Sequence, residues 1–192
     1  MCRMGVLYLR VAGALWAAWV ITWWLAALWR SKPTAEAPRS SWRWHFALVV
    51  VGFWMLFWLR TDPTPRLWWV GPALGWSMVA VTAAMFALAW WARLTMGRMW
   101  SGGVMRTQEH RVIQSGPFAW VRHPIYTALI GAGFAFAAVR ATPLAFAGAA
   151  LFTYGFYLKA RVEERFLTQE LEGYPAYRAR VPMLVPWRRP SG

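Results

Sequence analysis

The sequence predicts an all-α, polytopic membrane protein with about five transmembrane helices. Of its 192 residues, 59% are hydrophobic and 15% are charged, whereas soluble domains carry about a quarter charged residues. The apolar residues fall into runs that reach or approach the ~20 residues needed to cross a bilayer core. No segment alternates polar and apolar residues in the way that a membrane-spanning strand would.

Five apolar runs follow one another along the chain. Helices are expected over residues 6–29, 44–59, 67–92, 124–139 and 143–159. The first run is longer than the ~7–15-residue apolar core of a signal peptide, and Pro38 directly follows the cleavage-like triplet 35–37, so we interpret the run as a retained helix. The last two runs are short, begin with prolines suited to a first helical turn, and are predicted to form a hairpin.

The basic residues are distributed unevenly between the two sides of this arrangement. Sixteen of the 21 lysines and arginines lie in the loop 30–43, the loop 93–122 and the tail from Lys159 onward. The positive-inside rule therefore predicts a multi-pass membrane protein with a cytoplasmic C-terminus and the N-terminus outside. Basic loops between apolar runs indicate contact with anionic lipids rather than nucleic acid. The single cysteine provides no disulfide or Cys-based metal motif, and no metal partner is expected.

Two polar clusters flank the predicted hairpin. The fourth run opens with Arg-His-Pro-Ile-Tyr at 122–126, and the fifth is followed by Lys-Ala-Arg-Val-Glu-Glu at 159–164. Separately, each cluster has an ordinary interpretation as an interfacial loop or as exposed salt bridges contributing under ~1 kcal/mol. The hairpin, however, places the start of the fourth helix and the end of the fifth at one membrane face. The sequence therefore predicts that a helix N-terminus, a histidine, an aromatic ring and two carboxylates converge there.

Several short motifs, taken in order and with their spacing, resemble a known family. They are Gly116-Pro117-Phe118, Arg122-His123-Pro124-Ile125-Tyr126, Glu163-Glu164, Tyr174-Pro175-Ala176-Tyr177 and Val181-Pro182. Together they resemble the isoprenylcysteine carboxyl methyltransferase family, which includes bacterial members and is related to phospholipid methyltransferases. The resemblance covers about residues 94–186. It implies a division into N-terminal helices over 1–93 and a methyltransferase region over 94–192.

The resemblance implies a methyltransferase that uses S-adenosyl-L-methionine. The residues implied to bind this cofactor are His110, Arg111, Val112, Ile113, Phe118, His123, Pro124, Ile125, Tyr126 and Glu163. Those implied to take part in the transfer are Arg161, Lys159, Glu164 and Arg122. The substrate-orienting arginine of the family falls nearest Lys159 or Arg161, and the sequence leaves the choice open. A helix N-terminus suits the cofactor's carboxylate, a glutamate its ammonium group and an aromatic face its sulfonium.

The methyl acceptor stays open at this point. The resemblance favours a lipid-like or isoprenoid acceptor, as for a protein-S-isoprenylcysteine O-methyltransferase, within surrounding membrane lipids. A phospholipid N-methyltransferase and a small-thiol S-methyltransferase are alternatives, and an amine acceptor would lose a proton with help from Glu164 or His123. A membrane sterol-type reductase is another alternative; it would use a nicotinamide nucleotide and would normally carry Asn where this chain has Ile125. A non-catalytic membrane scaffold would need no pocket.

Overall fold

A computed structural model of the chain describes residues 2–28, 33–36, 43–57, 65–97, 105–107 and 112–187. These residues form mainly helices, as predicted: α1 (Cys2–Ala26), α2 (Arg43–Phe57), α3 (Pro72–Met96), α4 (Pro124–Arg140), α5 (Pro143–Glu170) and α6 (Tyr174–Arg180). Two short strands, β1 (Pro33–Glu36) and β2 (Met105–Thr107), pair antiparallel with Ala35 opposite Arg106. The sequence did not predict them, because three or four residues are too few for alternation to be recognised.

Several helix boundaries differ from the prediction: α1 begins at Cys2 rather than at residue 6, and α3 ends at Met96 rather than at residue 92. The third helix begins at Pro72 rather than at residue 67, since Gly71 is extended and proline takes the first helical position. The fifth helix does not stop at Lys159 but continues to Glu170, so its 28 residues extend about 42 Å. The predicted ends at Trp29 and Leu59 lie outside the described residues.

Two helical segments, Leu7–Ala26 and Pro72–Met96, are long and apolar enough to cross a membrane. Trp44–Phe57 and Pro124–Arg140 are apolar but shorter. At 17 residues, α4 would extend about 26 Å, slightly less than the ~30 Å hydrocarbon core. The predicted five-span arrangement is therefore supported at α1 and α3 and stays a prediction at α2, α4 and α5.

Contacts at the helix ends show which ends lie together. The N–H of Leu67, just before α3, donates to the carbonyl of Ala141 in the turn between α4 and α5 (2.7 Å). At the other end, Arg93 near the end of α3 donates to the carbonyl of Ala26, the last residue of α1 (2.9 Å). The start of α4 and the end of α5 therefore both lie at the end of the bundle where α1 and α3 finish.

An aromatic core and a close helix contact hold the bundle together. Trp16 is 2% exposed and packs edge-on against Phe86 at 4.9 Å and Phe152 at 6.3 Å between ring centres. Where α2 crosses α5, a Cβ atom added to Gly52 would lie 2.5 Å from the backbone nitrogen of Phe152. A larger residue at Gly52 would separate the two backbones, so this glycine fixes how closely α2 lies to the helix that carries the two glutamates.

Candidate active site

The start of α4 is arranged to receive an anionic group. His123 is its N-cap residue, but the side chain makes no capping hydrogen bond, and Pro124 at the first helical position has no N–H. The N–H groups of Ile125 and Tyr126 lie in the first turn, where a helix offers no internal acceptor. Such an N-terminus attracts a carboxylate or phosphate.

Glu164 is buried and fully occupied by cations. Its Oε1 lies 2.7 Å from Nε and 2.6 Å from Nη2 of Arg122, and 3.3 Å from Nε2 of His123. Its Oε2 lies 3.4 Å from Nε of Arg178. The side chains of Arg122 and Glu164 are only 5% and 3% exposed. This carboxylate therefore joins α4, α5 and α6 and has little capacity left for a ligand.

The segment after α6 is held along the start of α4 by backbone hydrogen bonds. The N–H of Arg122 donates to the carbonyl of Pro182 (2.9 Å), and the N–H of His123 donates to that of Met183 (3.1 Å). Nη1 of Arg122 also donates to the carbonyl of Val181. Arg122 thus connects Glu164 to the tail, and residues 181–184 form one wall beside the start of α4.

Glu163 is held differently and keeps capacity for a ligand. Its Oε1 accepts a hydrogen bond from the Tyr126 hydroxyl (2.6 Å) and lies 4.0 Å from Nζ of Lys159. Its Oε2 lies 3.5 Å from Nδ1 of His123, and its side chain is 16% exposed. The Tyr126 ring contacts Phe156 at 5.0 Å, with the Lys159 ammonium 5.2 Å above its centre. Glu163 therefore lies among aromatic rings with Oε2 available to a further donor.

Burial disfavours the charged forms of His123, Glu163 and Glu164, but hydrogen bonds and the charges of their neighbours have the larger combined effect on their pKa values. Burial alone would lower the pKa of His123, yet hydrogen bonds to both glutamates and their negative charges raise that pKa above its ordinary value. Burial alone would raise the pKa of Glu163 and Glu164, but hydrogen bonds from His123 and the charges of Lys159 and Arg122 hold both below the ordinary value. Both glutamates are therefore ionised at neutral pH.

These shifts predict how stability depends on pH. The glutamates, with lowered pKa values, stabilise the fold above the ordinary 4.5 and lose this contribution as pH falls through their folded values. His123, with a raised pKa, contributes fully below 6.5 and loses this as pH rises through its folded value. We therefore expect the thermal unfolding midpoint to be highest between about pH 4.5 and 6.5 and to decrease at lower and at higher pH. His123→Gln should flatten the alkaline side and also weaken the acidic side, because His123 helps to lower the pKa of both glutamates. An alkaline side unchanged by this substitution would contradict the pairing.

Comparison with known proteins agrees with this geometry. The profile of the isoprenylcysteine carboxyl methyltransferase family matches residues 77–169, from the first part of α3 almost to the end of α5. This segment of the chain is therefore similar to that family. The match includes the start of α4 and both glutamates, and it confirms the resemblance given by the motifs.

Two relatives extend the comparison. Methanethiol S-methyltransferase 1 of Bradyrhizobium diazoefficiens is 29% identical over 180 residues, which cover 88% of this chain and 59% of the relative. The uncharacterized protein YpbQ of Bacillus subtilis is 27% identical over 72 residues, 38% of this chain and 39% of that protein. The chain thus spans well under two thirds of the length of either relative.

The structure brings together most, but not all, of the residues that the family resemblance implies. His123, Tyr126, Lys159, Glu163 and Glu164 lie within one cluster with Arg122, and Pro124 and Ile125 are buried beside it. Val112 packs against the cluster formed by Leu171, Tyr174 and Tyr177, whereas Ile113 and Phe118 belong to the main apolar core. His110 and Arg111 lie outside the described residues.

Arg161 is separated from this cluster by its direction on α5. Its side chain is exposed, and Nη1 donates to the Tyr157 hydroxyl (2.7 Å). Lys159, in contrast, is close to both Glu163 and Tyr126. In the part of the chain that the structure describes, no group of three or more His, Cys, Asp or Glu residues could hold a metal ion.

Three contributors to the site were missed by sequence reasoning. Arg178 pairs with Glu164, Phe156 contacts Tyr126, and the Tyr177 hydroxyl donates to the carbonyl of Phe118 (2.6 Å). Burial raises the pKa of Tyr177 to about 12, so its hydroxyl stays a neutral donor. The tail motif Tyr174-Pro175-Ala176-Tyr177 was the available signal. This motif contributes to the family resemblance, but the sequence alone does not show where the tail folds back and therefore does not predict its contacts.

Proposed function

We propose that this protein is an integral, multi-pass membrane methyltransferase that uses S-adenosyl-L-methionine, with its C-terminal region in the cytoplasm. One observation carries the proposal: the uncapped N-terminus of α4 lies directly against Glu163, through His123 and Tyr126. The family match over residues 77–169 supports the same chemistry. A sterol-type reductase and a scaffold are disfavoured, because neither accounts for this family match.

The charges of the site fit the methyl donor group by group. The first-turn N–H groups of Ile125 and Tyr126 suit its carboxylate. Oε2 of Glu163 suits its ammonium group, because a charge-assisted hydrogen bond to a half-buried carboxylate is stronger than a neutral one. The rings of Tyr126 and Phe156 suit its sulfonium by cation–π attraction. Whether His110 and Arg111 complete the site stays a prediction.

The protein's task in such a reaction is alignment rather than activation. The cofactor supplies a methyl group that its positive sulfur already makes electrophilic. Glu163 and the start of α4 would fix the donor at two points, which limits the directions from which an acceptor can approach. Arg122 and Glu164 act as positioning residues, because they hold the tail, α4 and α5 together. We assign the acceptor's side of the site to Lys159 rather than Arg161, because Lys159 lies near Glu163 and Tyr126 whereas Arg161 pairs with Tyr157.

For the acceptor, we favour a small thiol over an isoprenoid or a lipid amine. The name of the Bradyrhizobium relative supports this choice, since its alignment covers most of the present chain. Phe156 packs against Tyr126 and in turn against Phe152, and both phenylalanines are buried, at 8% and 3% exposed, so a small acceptor fits this filled interior better than a long chain. A thiol would lose its proton to water, and the positive charge of Lys159 would lower the thiol pKa and favour this loss. The thiolate sulfur would then take the methyl group as the bond from that carbon to the donor's sulfur breaks, and the donor would leave as a neutral thioether.

A methyl-transfer assay with competing acceptors tests this proposal. Purified protein receives S-adenosyl-L-methionine labelled in its methyl group, together with methanethiol, an isoprenylated cysteine or phosphatidylethanolamine, and the labelled product is identified. We expect label in dimethyl sulfide and about a 100-fold lower kcat/KM in Lys159→Gln. Arg161→Gln, the matched loss of a positive charge two residues away, should have the smaller effect. Label in the isoprenylated cysteine or the lipid alone would refute the thiol, and equal effects of the two variants would refute the assignment of Lys159.

A further inference from the structure

The side of α5 opposite Lys159 and Glu163 carries tyrosines and arginines in line. Tyr154, Tyr157, Arg161 and Arg165 are spaced by three, four and four residues, so they share one helical face; we call them the Tyr–Arg face. The rings of Tyr154 and Tyr157 stack, with centres 6.5 Å apart and planes 16° from parallel. Tyr154 is 53% exposed, and both arginines are exposed.

The hydrogen bond between Arg161 and Tyr157 leaves the Tyr157 hydroxyl hydrogen and other Arg161 N–H groups as donors to an anion. Nη1 of Arg161 donates to the Tyr157 hydroxyl oxygen (2.7 Å), and its guanidinium lies 5.7 Å from the centre of that ring. Because the hydroxyl oxygen already accepts, its own hydrogen is directed to another acceptor. The remaining N–H groups of Arg161, together with those of Arg165, suit a ligand with several oxygen atoms, such as a phosphate.

The Tyr–Arg face is separate from the proposed active site. The buried ion pairs of that site join Glu163 and Glu164 to Arg122, His123, Lys159 and Arg178, and neither Arg161 nor Arg165 takes part. The positive charges of the Tyr–Arg face are thus not neutralised by that cluster. They leave a charged surface that faces outward from the helical bundle.

The position of this face along α5 indicates which anion it meets. Tyr157 is the fifteenth residue of α5, which begins at Pro143, so it lies about 21 Å along the helix. The residues up to Leu158 are almost all apolar, and Lys159, Arg161 and Arg165 follow. Tyrosine and arginine occupy this level in membrane helices, where lipid headgroups begin. The exposed Tyr154 ring, one turn deeper, would then contact the first part of an acyl chain.

We propose that the Tyr–Arg face binds the phosphate of an anionic phospholipid, with Arg161 and Arg165 pairing its charge and the Tyr157 hydroxyl donating to it. Charge complementarity selects an anionic headgroup over a zwitterionic one, because a choline group would bring a positive charge towards two arginines. The site gives Arg161 a role in fixing α5 at the membrane surface.

Native mass spectrometry of the protein in detergent tests this assignment. The protein is titrated with phosphatidylglycerol or with phosphatidylcholine, and bound lipid is counted. We expect preferential binding of phosphatidylglycerol, weakened about 10-fold or more in the double variant Arg161→Gln/Arg165→Gln and less in Tyr157→Phe. The control Arg10→Gln/Arg66→Gln removes the same charge from exposed arginines at the other end of the bundle and should bind as the wild type does.

Each other outcome contradicts the proposal. Equal binding of the two lipids, or unchanged phosphatidylglycerol binding in the Arg161/Arg165 double variant, would show that the face does not recognise an anionic headgroup. Equal losses in the two double variants would indicate an effect of net charge alone. Displacement of the lipid by an equal concentration of inorganic phosphate would assign the face to free phosphate. Titration of S-adenosyl-L-methionine into the same variants measures cofactor binding separately, so a failure of lipid binding can be distinguished from a failure of the methyltransferase proposal.

Discussion

Replacing Glu164 with glutamine is expected to lower the free energy of unfolding by about 3–5 kcal/mol, the usual cost of leaving a buried cation without its partner. The Arg122 side chain is 5% exposed, and both its Nε and its Nη2 contact Oε1 of Glu164, at 2.7 and 2.6 Å. Glutamine has nearly the same shape but no charge, so Arg122 and Arg178 would repel each other without compensation. Chemical denaturation in detergent, followed by tryptophan fluorescence, measures the change.

The exposed Glu172, in the turn after α5, is the matched control. Glu172→Gln removes the same charge and should leave the unfolding free energy within about 0.5 kcal/mol of the wild-type value. Hydrogen exchange should locate the effect of Glu164→Gln in the N–H groups of Arg122 and His123, because their acceptors belong to the tail. Equal stability of both variants would mean that the buried ion pair does not hold the tail in place.

Replacing Glu163 with glutamine is expected to weaken binding of S-adenosyl-L-methionine by about 30-fold or more, since a half-buried charge partner of the cofactor's ammonium group is lost. Glutamine keeps an oxygen that accepts from the Tyr126 hydroxyl, so the aromatic surroundings should be preserved. Isothermal titration in detergent gives the dissociation constant directly.

Two comparisons make the Glu163 result specific. Glu172→Gln should bind the cofactor as the wild type does. His123→Ala, which removes one partner of Glu163 and the ring stacked on Tyr126 at 5.3 Å, should also weaken binding. Unchanged affinity in Glu163→Gln would remove the glutamate from the cofactor site and leave the start of α4 without its proposed counterpart.

Much of the helical architecture could be predicted from apolar run length and proline position. Pro124 and Pro143 begin α4 and α5 where expected, and the hairpin between them brings Arg122 to 2.6 Å from Glu164, as the sequence predicted. The signal was sufficient because proline fixes the helix start and a short connection forces neighbouring helices to run antiparallel.

Other features depend on contacts that a linear sequence does not reveal. Glu163 and Glu164 are adjacent, yet helical geometry directs one to Tyr126 and Lys159 and the other to Arg122 and Arg178. Their different contacts therefore follow from about 100° of rotation per residue and from what packs on each side. The sequence left Lys159 and Arg161 equivalent because it did not show which side of α5 faces α4.

The extent of α5 was underestimated for a related reason. Apolar composition ends near Lys159, but the helix continues to Glu170, and Glu163 and Glu164 in this extension pair with the start of α4 and with α6. Hydropathy indicates where a helix leaves lipid, whereas tertiary contacts decide where it stops. Because α5 continues beyond its apolar run, the two glutamates lie on a helix rather than in a loop.

Titration of S-adenosyl-L-methionine and, separately, of a reduced nicotinamide nucleotide into the wild-type protein is the most direct test of the central claim. We predict saturable binding of one S-adenosyl-L-methionine molecule per chain and no heat with the nucleotide. Binding of the nucleotide instead, or binding of neither molecule, would contradict the assignment of Glu163 and the start of α4 to a methyl-donor site.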